Sequence, residues 1–379
     1  MPDSTPYDIA IAGGGLAGLS LSIQLAKQGY RVLLLEKENY PLQRVCGEYI
    51  SLESLDFLRR LGIDPFALGA SRITRLEVSD TAGKNFELEL PLGGFGISRY
   101  LLDETLANIA RDTGVRIITD CKVYDIAFHL EQFEITTSGE IYFAHTVTAA
   151  FGKRSNLDVK WKRSFITSSR NRLNNYVGVK YHLRGSFPED LISLHLFRDG
   201  YCGVVKVEDG KYNLCYLTAA SNVIRHKGDL EEMEKNVLAL NPRLAAAFNA
   251  STRVSADPVT IAQVSFEQKS RVHEHILMTG DAAGMIAPLC GNGMSMALHS
   301  SKIAAHHLHR YLSGTCSREE MEHGYSDEWL RTFGARLRTG RMIQRMTGHP
   351  VAMKLFVAIG RWFPGLVRGL IRKTHGKSF

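Results

Sequence analysis

The chain has 379 residues, of which 44% are hydrophobic and 22% are charged, and its formal net charge at pH 7 is +7. This composition is ordinary for a globular protein, and the length predicts two closely joined domains. The positive charge does not indicate nucleic-acid binding, because residues 341–379 contain eight Lys or Arg and no Asp or Glu and so account for the excess. Elsewhere the sequence has no basic stripe interleaved with aromatic residues.

The six cysteines show neither a C-x-x-C pair nor the spacing of a disulfide framework. We therefore expect free thiols in a reducing compartment, and hence a cytoplasmic protein. No basic and apolar leader precedes the first predicted strand, and no uncharged apolar run reaches about 18 residues. The sequence thus predicts neither a signal peptide nor an ordinary membrane span.

Residues 7–36 have the pattern of strand, glycine turn, helix and strand. Gly13, Gly15 and Gly18 occupy the three glycine places of a G-x-G-x-x-G motif. These places allow a tight turn, close approach of the backbone to a diphosphate, and close packing of helix on strand. Glu36 ends the second strand about twenty residues later, where an acid binds a ribose hydroxyl and disfavours a 2′-phosphate. We therefore predict an FAD or NAD adenosine rather than NADP, with its diphosphate at the helix N-terminus.

Helices and strands alternate up to about residue 155. Residues 39–51 form an irregular loop that we expect along the ligand crevice, although Cys46 in it fits a small buried side chain equally well. Helices are predicted at 52–61 and 100–112. Strands are predicted at 73–90 as a pair, at 115–118, at 133–143 as a hairpin, and at 146–150. This alternation favours a mainly parallel sheet.

From about residue 156 the pattern becomes that of an antiparallel sheet. Four strands are predicted at 176–183, 191–197, 201–207 and 212–217, with Asp-Gly turns at 199–200 and 209–210. A further apolar strand leads into Gly280 and Asp281, and a glycine-rich loop then precedes a helix at 295–312. If that strand joins the first sheet, Asp281 lies beside the first glycine turn.

These motifs, together with the Ile97-Ser98-Arg99 segment, resemble the FAD-binding signatures of the para-hydroxybenzoate hydroxylase and geranylgeranyl reductase superfamily. The resemblance implies an α/β fold in which an antiparallel-sheet substrate domain is inserted into a Rossmann-like, GR2-type FAD-binding domain, with a C-terminal helical segment. We assign residues 1–72, 97–155 and 259–320 to the FAD-binding domain. Residues 73–96 and 156–258 are assigned to the substrate domain, and 321–379 to basic amphipathic helices.

The resemblance also implies which residues hold FAD. Glu36 would bind the adenosine ribose, Arg99 the diphosphate region, and Asp281 the ribityl chain and diphosphate. The full expected set is Gly13, Gly15, Leu16, Ala17, Gly18, Glu36, Lys37, Arg44, Cys46, Arg99, Val123, Gly280, Asp281, Pro288, Gly291, Gly293 and Met294. Phe151-Gly152 stands where the family has Asp-Gly, and no second G-x-G-x-x-G occurs. NAD(P)H is therefore expected only as a transient reductant, unless a separate reductase serves.

The Cys46-Gly47 loop resembles that of the reductases, but Glu48 stands where those reductases usually have Gly. We therefore favour a monooxygenase that acts on a hydrophobic aromatic, polyketide or lipid-like substrate through a flavin C4a-hydroperoxide. The alternatives are an ene reductase of the geranylgeranyl reductase type, a halogenase, and a flavoprotein that only carries electrons. Cys46, Glu48 and His195 are the candidate catalytic residues. Further polar candidates in the roof of the substrate pocket are Tyr201, Lys206, Asn213 and Tyr216. The histidines of the helix at 295–312 lack the spacing and partners of a metal site, so we expect no metal.

Residues 351–371 form an amphipathic basic segment, which Pro364 is expected to split into two helices. Lys354, Arg361 and Arg368 lie seven residues apart on one side of it. Such a segment suits peripheral contact with an anionic membrane or an acidic carrier protein, and it equally suits covering the protein's own core. The expected partners are a small hydrophobic substrate and either a carrier protein or a membrane surface. Nucleic acid is not expected as a partner.

Overall fold

The computed structural model describes residues 5–167, 175–255, 257–347 and 349–379. Its strands are β1 (Tyr7–Ala12), β2 (Val32–Leu35), β3 (Tyr49–Ser51), β4 (Ser71–Ser79), β5 (Asn85–Gly96), β6 (Arg116–Ile118), β7 (Val123–His129), β8 (Gln132–Thr137), β9 (Ile141–Ala149), β10 (Tyr176–Gly185), β11 (Leu191–Phe197), β12 (Gly200–Lys206), β13 (Tyr212–Ala219), β14 (Ser251–Arg253), β15 (Val259–Val264), β16 (Val272–His273) and β17 (Ile276–Met278).

Its α-helices are α1 (Leu16–Ala26), α2 (Leu55–Leu61), α3 (Arg99–Asp112), α4 (Asn156–Lys160), α5 (Ser164–Thr167), α6 (Ala220–Arg225), α7 (Leu230–Met233), α8 (Pro242–Asn249), α9 (Gly293–Leu312), α10 (Arg318–Thr347), α11 (Pro350–Trp362) and α12 (Pro364–Thr374). None of the helices in the described ranges is both long and apolar enough to cross a membrane. The same ranges contain no group of three or more His, Cys, Asp or Glu able to hold a metal ion.

The first sheet has the strand order β16-β17-β9-β1-β2-β6, and β7 and β8 extend it from β9. Both β2 and β9 run parallel to β1, and β17 runs parallel to β9. The residues of β1 are almost entirely buried, as a strand covered on both faces requires. On one side α1 packs against α3 and α9. The predicted α/β fold with a mainly parallel sheet is confirmed, and the strand before Gly280 does join it.

The second sheet has the order β14-β10-β13-β12-β11-β4-β5-β3, and β15 pairs with β10. The predicted hairpins are present, with Asp199 and Asp209 in the left-handed backbone conformation of their turns. The sheet differs from the predicted substrate domain at its limits. It includes β3 (49–51), the first residues of β4 and β15 (259–264), all of which the sequence analysis assigned to the FAD-binding domain. The sequence pattern of a short apolar segment can indicate a strand, but it does not indicate which sheet that strand joins.

The C-terminal segment is helical, and Pro364 separates α11 from α12 as predicted. The sequence analysis assigned residues 321–379 to helices without giving the bounds of α10, a helix of 30 residues that precedes these two. Both α11 and α12 contact β5 and α10. Met353, Val357 and Val367 are buried in the core of the second sheet. The helices therefore cover part of the protein's own core, which was one of the alternatives left open above.

Candidate functional site

The glycine turn between β1 and α1 leaves no room for side chains. A Cβ on Gly18 would lie 1.9 Å from the carbonyl oxygen of Gly13, and one on Gly13 would lie 2.5 Å from that of Ala150. The backbone N–H of Gly13 donates to the carbonyl of Leu35 at 2.8 Å, which closes the turn onto β2. Helix α1 then begins at Leu16 without a side-chain cap. Its first N–H groups are left for an anion at the mouth of the turn.

Glu36 stands at the carboxyl end of β2 beside this turn. Its side chain is 4% exposed and accepts hydrogen bonds from the backbone N–H of Gly14 at 2.7 Å and from Arg44 Nη2 at 3.1 Å. Arg44 also donates from Nε to Asp103 at 3.2 Å. These contacts fix the Glu36 carboxylate at the position where a dinucleotide fold binds the ribose hydroxyl.

Asp103 also holds Arg99, the other predicted cation of the site. The Arg99 guanidinium donates to both Asp103 oxygens at 2.7 Å, and the Asp103 side chain is fully buried. Burial opposes the charge on Arg99, but Asp103 outweighs it and holds the pKa of Arg99 above its usual range. A Cβ on Gly15 would lie 3.6 Å from Arg99 Nη2, so the guanidinium faces the glycine turn. The sequence analysis did not assign Asp103 a role, although its i, i+4 spacing from Arg99 is a readable signal.

The second glycine motif lies against the first because β17 pairs with β9. A Cβ on Gly280 would lie 3.0 Å from the side chain of Ala17. Asp281 lines the same cavity as Glu36. Its carbonyl oxygen accepts from Lys269 Nζ at 2.8 Å, and burial lowers the pKa of Lys269 to about 8. Lys269 was not foreseen, since nothing in its local sequence indicates burial.

A cavity of about 1040 Å³ runs from the glycine turn into the second sheet. All seventeen residues of the expected FAD set line it except Gly18, which packs against Gly13. Farther on, the cavity is lined mainly by apolar side chains of the second sheet and of α11 and α12, among them Ile192, Leu194, Leu217, Met353, Phe356 and Leu370. The uncapped α1 N-terminus, the buried Glu36 and the closely packed glycines fit an FAD, whose ring end would then face this apolar region.

Comparison with known proteins agrees with this geometry. Residues 6–152 match the family model described as an FAD binding domain. The chain is 24% identical over 363 residues to conditioned medium factor receptor 1 of Dictyostelium discoideum, covering 88% of this chain and 69% of the relative. It is 23% identical over 331 residues to the menaquinone reductase of Mycobacterium tuberculosis, covering 79% and 75%. It is also 23% identical over 342 residues to the digeranylgeranylglycerophospholipid reductase of Methanococcus vannielii, covering 87% and 82%.

Solved structures share the fold over nearly the whole chain. The flavin-dependent brominase Bmp2 has a TM-score of 0.79 at 18% identity, covering 98% of this chain and 93% of that one. A geranylgeranyl bacteriochlorophyll reductase-like protein of Thermoplasma acidophilum has a TM-score of 0.76 at 18% identity, covering 96% and 98%. The probable FAD-dependent monooxygenase pqsL of Pseudomonas aeruginosa has a TM-score of 0.71 at 14% identity, covering 92% and 99%.

The chain therefore has an FAD-binding domain, and it shares its fold with flavin-dependent oxidoreductases. Its similarity to the solved structures is at low identity and concerns the fold they share. In this flavoprotein, FAD would be held by Glu36 at the adenosine, by Arg99 and the α1 N-terminus at the diphosphate, and by Asp281 farther along. Helix α9 begins at Gly293 without a side-chain cap, so its N–H groups are available where the flavin ring would lie.

Cys46 and Glu48 of this flavoprotein both line the cavity. Cys46 is half-buried, and its carbonyl accepts from Asn213 Nδ2 at 3.1 Å. The Glu48 carboxylate is fully buried and accepts from Lys180 Nζ at 2.5 Å, His182 Nε2 at 2.7 Å and the backbone N–H of Arg99 at 2.9 Å.

Burial opposes the charge of Glu48, but Lys180 and His182 outweigh it and lower its pKa. Glu48 is therefore an ionised residue with its oxygens engaged, which argues against a role as general acid. Lys180 and His182 were missed by the sequence analysis. They are alternate residues of β10 and hence share one face of that strand.

His195 does not line the cavity of the flavoprotein. Its Nδ1 lies 2.8 Å from Ser79 Oγ, its side chain is buried, and burial with the nearby Arg243 lowers its pKa to about 4. On β11 the cavity is lined by the alternate residues Ile192, Leu194 and Leu196, so His195 points to the opposite face. The structure therefore gives no support to a catalytic role for His195.

Of the other predicted polar candidates, some line the cavity and others only contact neighbouring residues of the protein. Lys206 does not line the cavity and forms an ion pair with Glu189. Tyr216 does line it, but its hydroxyl donates to Glu234 at 2.9 Å. Tyr201 lines the cavity, is 4% exposed, and its hydroxyl has no hydrogen-bond partner apart from a weak contact with the backbone of Leu289.

Tyr49 is a cavity residue that the sequence analysis did not name. A Cβ on Gly291 would lie 3.2 Å from its ring, which places the ring against the loop before α9. Its hydroxyl is also buried without a partner. Two phenol groups of this part of the cavity thus have unused hydrogen-bonding capacity.

Proposed function

We propose that this flavoprotein is an FAD-dependent monooxygenase that hydroxylates an aromatic or polyketide substrate carrying a long apolar chain. The observation that carries the proposal is the buried hydroxyl of Tyr201, which has no partner apart from the weak contact with Leu289 and, like that of Tyr49, belongs to a largely apolar part of the cavity that continues from the FAD site. A buried hydroxyl without a partner costs about 1–3 kcal/mol, and a polar group of the substrate would recover that loss. A phenol or carbonyl can do this, and a plain hydrocarbon cannot.

The chain supplies binding, orientation and exclusion of water, since the cofactor carries the difficult step of such reactions. FAD, when bound and reduced, supplies the activation of O₂. The apolar walls contributed by Leu194, Leu217 and Phe356 would keep water from the reacting atoms. Tyr201 would orient the polar ring of the substrate, while the apolar chain lies along α11 and α12.

The balanced reaction consumes one O₂ and one two-electron reductant, and yields a hydroxylated substrate and water. A nicotinamide nucleotide is the proposed reductant, bound transiently, because the sequence has one dinucleotide motif and FAD would fill it. A separate reductase protein would serve the same purpose.

The test uses the FAD-loaded protein, NADPH or NADH, and alkylphenols of increasing chain length under ¹⁸O₂. We expect one ¹⁸O atom per product molecule and a kcat/KM that rises with chain length. Tyr201→Phe should lower kcat/KM about tenfold, the size of one hydrogen bond of about 1.4 kcal/mol, and should raise the yield of hydrogen peroxide. The matched control is Tyr212→Phe, because the Tyr212 hydroxyl donates to the carbonyl of Phe187 and the residue does not line the cavity.

A second candidate is an ene reductase that saturates an isoprenoid chain. It is favoured by the half-buried Cys46 in the cavity wall and by the sequence relatives named as menaquinone and digeranylgeranylglycerophospholipid reductases. Anaerobic loss of an alkene with dithionite-reduced protein, at a rate lowered in Cys46→Ser, would favour the reductase over the monooxygenase. Turnover under ¹⁸O₂ to a product that carries no ¹⁸O would contradict the monooxygenase proposal directly.

A further inference from the structure

Helices α11 and α12 expose an unusual number of large apolar side chains. Val351 is 80% exposed, Leu355 60%, Trp362 78%, Phe363 62% and Leu366 67%. At about 100° per residue, Val351, Leu355 and Trp362 fall within about 40° of one another on the surface of α11. Phe363, between the two helices, and Leu366, in the first turn of α12, are the next large exposed apolar residues along the chain. We call these five residues the apolar patch.

Positive charge accompanies the apolar patch along the chain. Lys354 and Arg361 are exposed on the same helix, on the side adjoining its apolar stripe, and residues 341–379 contain no acidic residue. Just before α11, a shallow groove on the surface is lined by Arg338, Arg341 and Arg345.

The three arginines are close enough to affect one another. Burial lowers the pKa of Arg341, and Arg345 and Arg338 add to this effect, while the nearby Glu267 opposes it. Within the part of the chain that the structure describes, none of the three forms an ion pair with a carboxylate. The groove therefore suits anionic groups from outside the protein.

Other residues of the same two helices line the cavity. Met353 and Phe356 of α11 and Val367, Leu370 and Ile371 of α12 contribute to its wall. The helices thus form a single layer between the cavity and the apolar patch. Asn292 Nδ2 donates to the carbonyl of Thr374 at 2.6 Å and ties the end of α12 to the residue before α9.

We propose that the apolar patch and its basic border dock this protein on an anionic lipid surface. Exposed apolar side chains beside Lys and Arg are the composition of helices that lie in the interfacial plane of a bilayer. Tryptophan and phenylalanine bind at the headgroup boundary, and the arginines of the groove would contact lipid phosphates. The positive charge of these helices favours an anionic lipid surface over a neutral protein surface as the partner. Their many exposed apolar side chains favour lipid over a soluble polyanion.

The experiment measures binding of the FAD-loaded full chain to vesicles of 3:1 phosphatidylcholine and phosphatidylglycerol, and to vesicles of phosphatidylcholine alone. Sedimentation gives the partition coefficient, and tryptophan emission gives the environment of Trp362. The other two tryptophans report little change at the surface, because Trp329 is buried and Trp161 is half-buried. Neither readout depends on activity, so failure of docking is distinguishable from failure of the proposed function.

Three variants separate the contributions. The apolar variant is Trp362→Ser/Phe363→Ser/Leu366→Ser, and the charge variant is Lys354→Gln/Arg361→Gln/Arg368→Gln. The matched control, Leu130→Ser/Ile224→Ser/Leu240→Ser, removes three large apolar residues that are 101%, 72% and 69% exposed elsewhere on the surface. Unchanged thermal unfolding and FAD content establish that each variant is folded.

We expect sedimentation with the anionic vesicles, a blue shift of tryptophan emission, and loss of binding at high salt. Partition should fall at least tenfold in the apolar variant and in the charge variant, and it should stay within twofold in the control. Equal binding of wild type and apolar variant, or no binding to either vesicle, overturns the proposal. So does a lipid-free dimer that the apolar variant abolishes, or a shift of Trp362 emission by an acidic carrier protein without lipid.

Discussion

The buried contact between Glu48 and Lys180 gives a sharp prediction about stability. Both side chains are at most 1% exposed, and the Nζ to Oε1 distance is 2.5 Å. Glu48→Gln keeps the shape of the side chain and removes its charge. It leaves the Lys180 ammonium with only Gln43 Oε1, at 2.9 Å, and the new amide as partners.

Removing one partner of a buried ion pair costs about 3–5 kcal/mol, because the remaining charge stays buried without compensation. The total stability of a domain is only about 5–15 kcal/mol, so this loss is large. We expect the urea midpoint of the apoprotein to fall accordingly and the melting temperature to drop on the order of 10 °C.

The double variant Glu48→Gln/Lys180→Met is the control for this interpretation. A buried pair replaced by uncharged side chains of similar volume is often nearly neutral. The second substitution should therefore restore most of the stability that the first one removes. If Glu48→Gln lies within about 0.5 kcal/mol of wild type, as surface substitutions usually do, the electrostatic reasoning is refuted.

The pH dependence follows from the direction of the pKa shift. Lys180 and His182 outweigh burial and lower the pKa of Glu48 from its ordinary value of 4.5. The stability that Glu48 contributes is therefore fully present above about pH 4.5 and is lost as the pH falls through the lower pKa of the folded state. The difference in unfolding free energy between wild type and Glu48→Gln should stay constant at neutral pH and shrink in acid.

Three further predictions concern the cofactor site. Gly18→Ala should abolish FAD binding and destabilise the protein, because its Cβ would lie 1.9 Å from the Gly13 carbonyl oxygen, while Gly139→Ala, which meets open space, should retain FAD. Glu36→Gln should weaken FAD binding about tenfold in fluorescence titration, since a charge-assisted hydrogen bond becomes a neutral one. The pKa of Lys269 is lowered to about 8, so stability to urea should rise with pH from about 8 to about 10.5, and Lys269→Met should remove that slope.

The sequence predicted the cofactor end of the site because each element there has a strict steric or electrostatic requirement. Gly13 and Gly18 leave no room for a Cβ, and the acid Glu36 follows at a fixed distance. Asp281 lies beside this turn because β17 pairs with β9. The sequence indicated this pairing through an apolar strand that ends in a glycine turn.

Catalytic residues could not be predicted equally well, because their roles depend on contacts over long distances in the chain. Glu48 meets Lys180 and His182, which are 132 and 134 residues away. His195 illustrates a signal that was present and not used. The apolar residues Ile192 and Leu194 alternate with it along β11, and alternation alone places a polar residue on the other face of the strand.

The limits of the second sheet illustrate a different difficulty. Strand β15 follows a proline and has the apolar composition of a strand in either sheet. Its pairing with β10 is decided by tertiary packing, to which local propensity gives no access. The sequence analysis therefore assigned residues 259–264 to the FAD-binding domain, and did not reveal that they join the second sheet.

The C-terminal helices show why one obvious experiment would be uninformative. Deletion of residues 350–379 would remove the exposed Trp362, and it would also remove Met353, Phe356 and Leu370 from the cavity wall. Loss of activity or of vesicle binding after such a deletion would follow from an opened cavity as readily as from a lost docking surface. Substitutions confined to the outer face keep the wall intact, so they alone can separate the two roles of these helices.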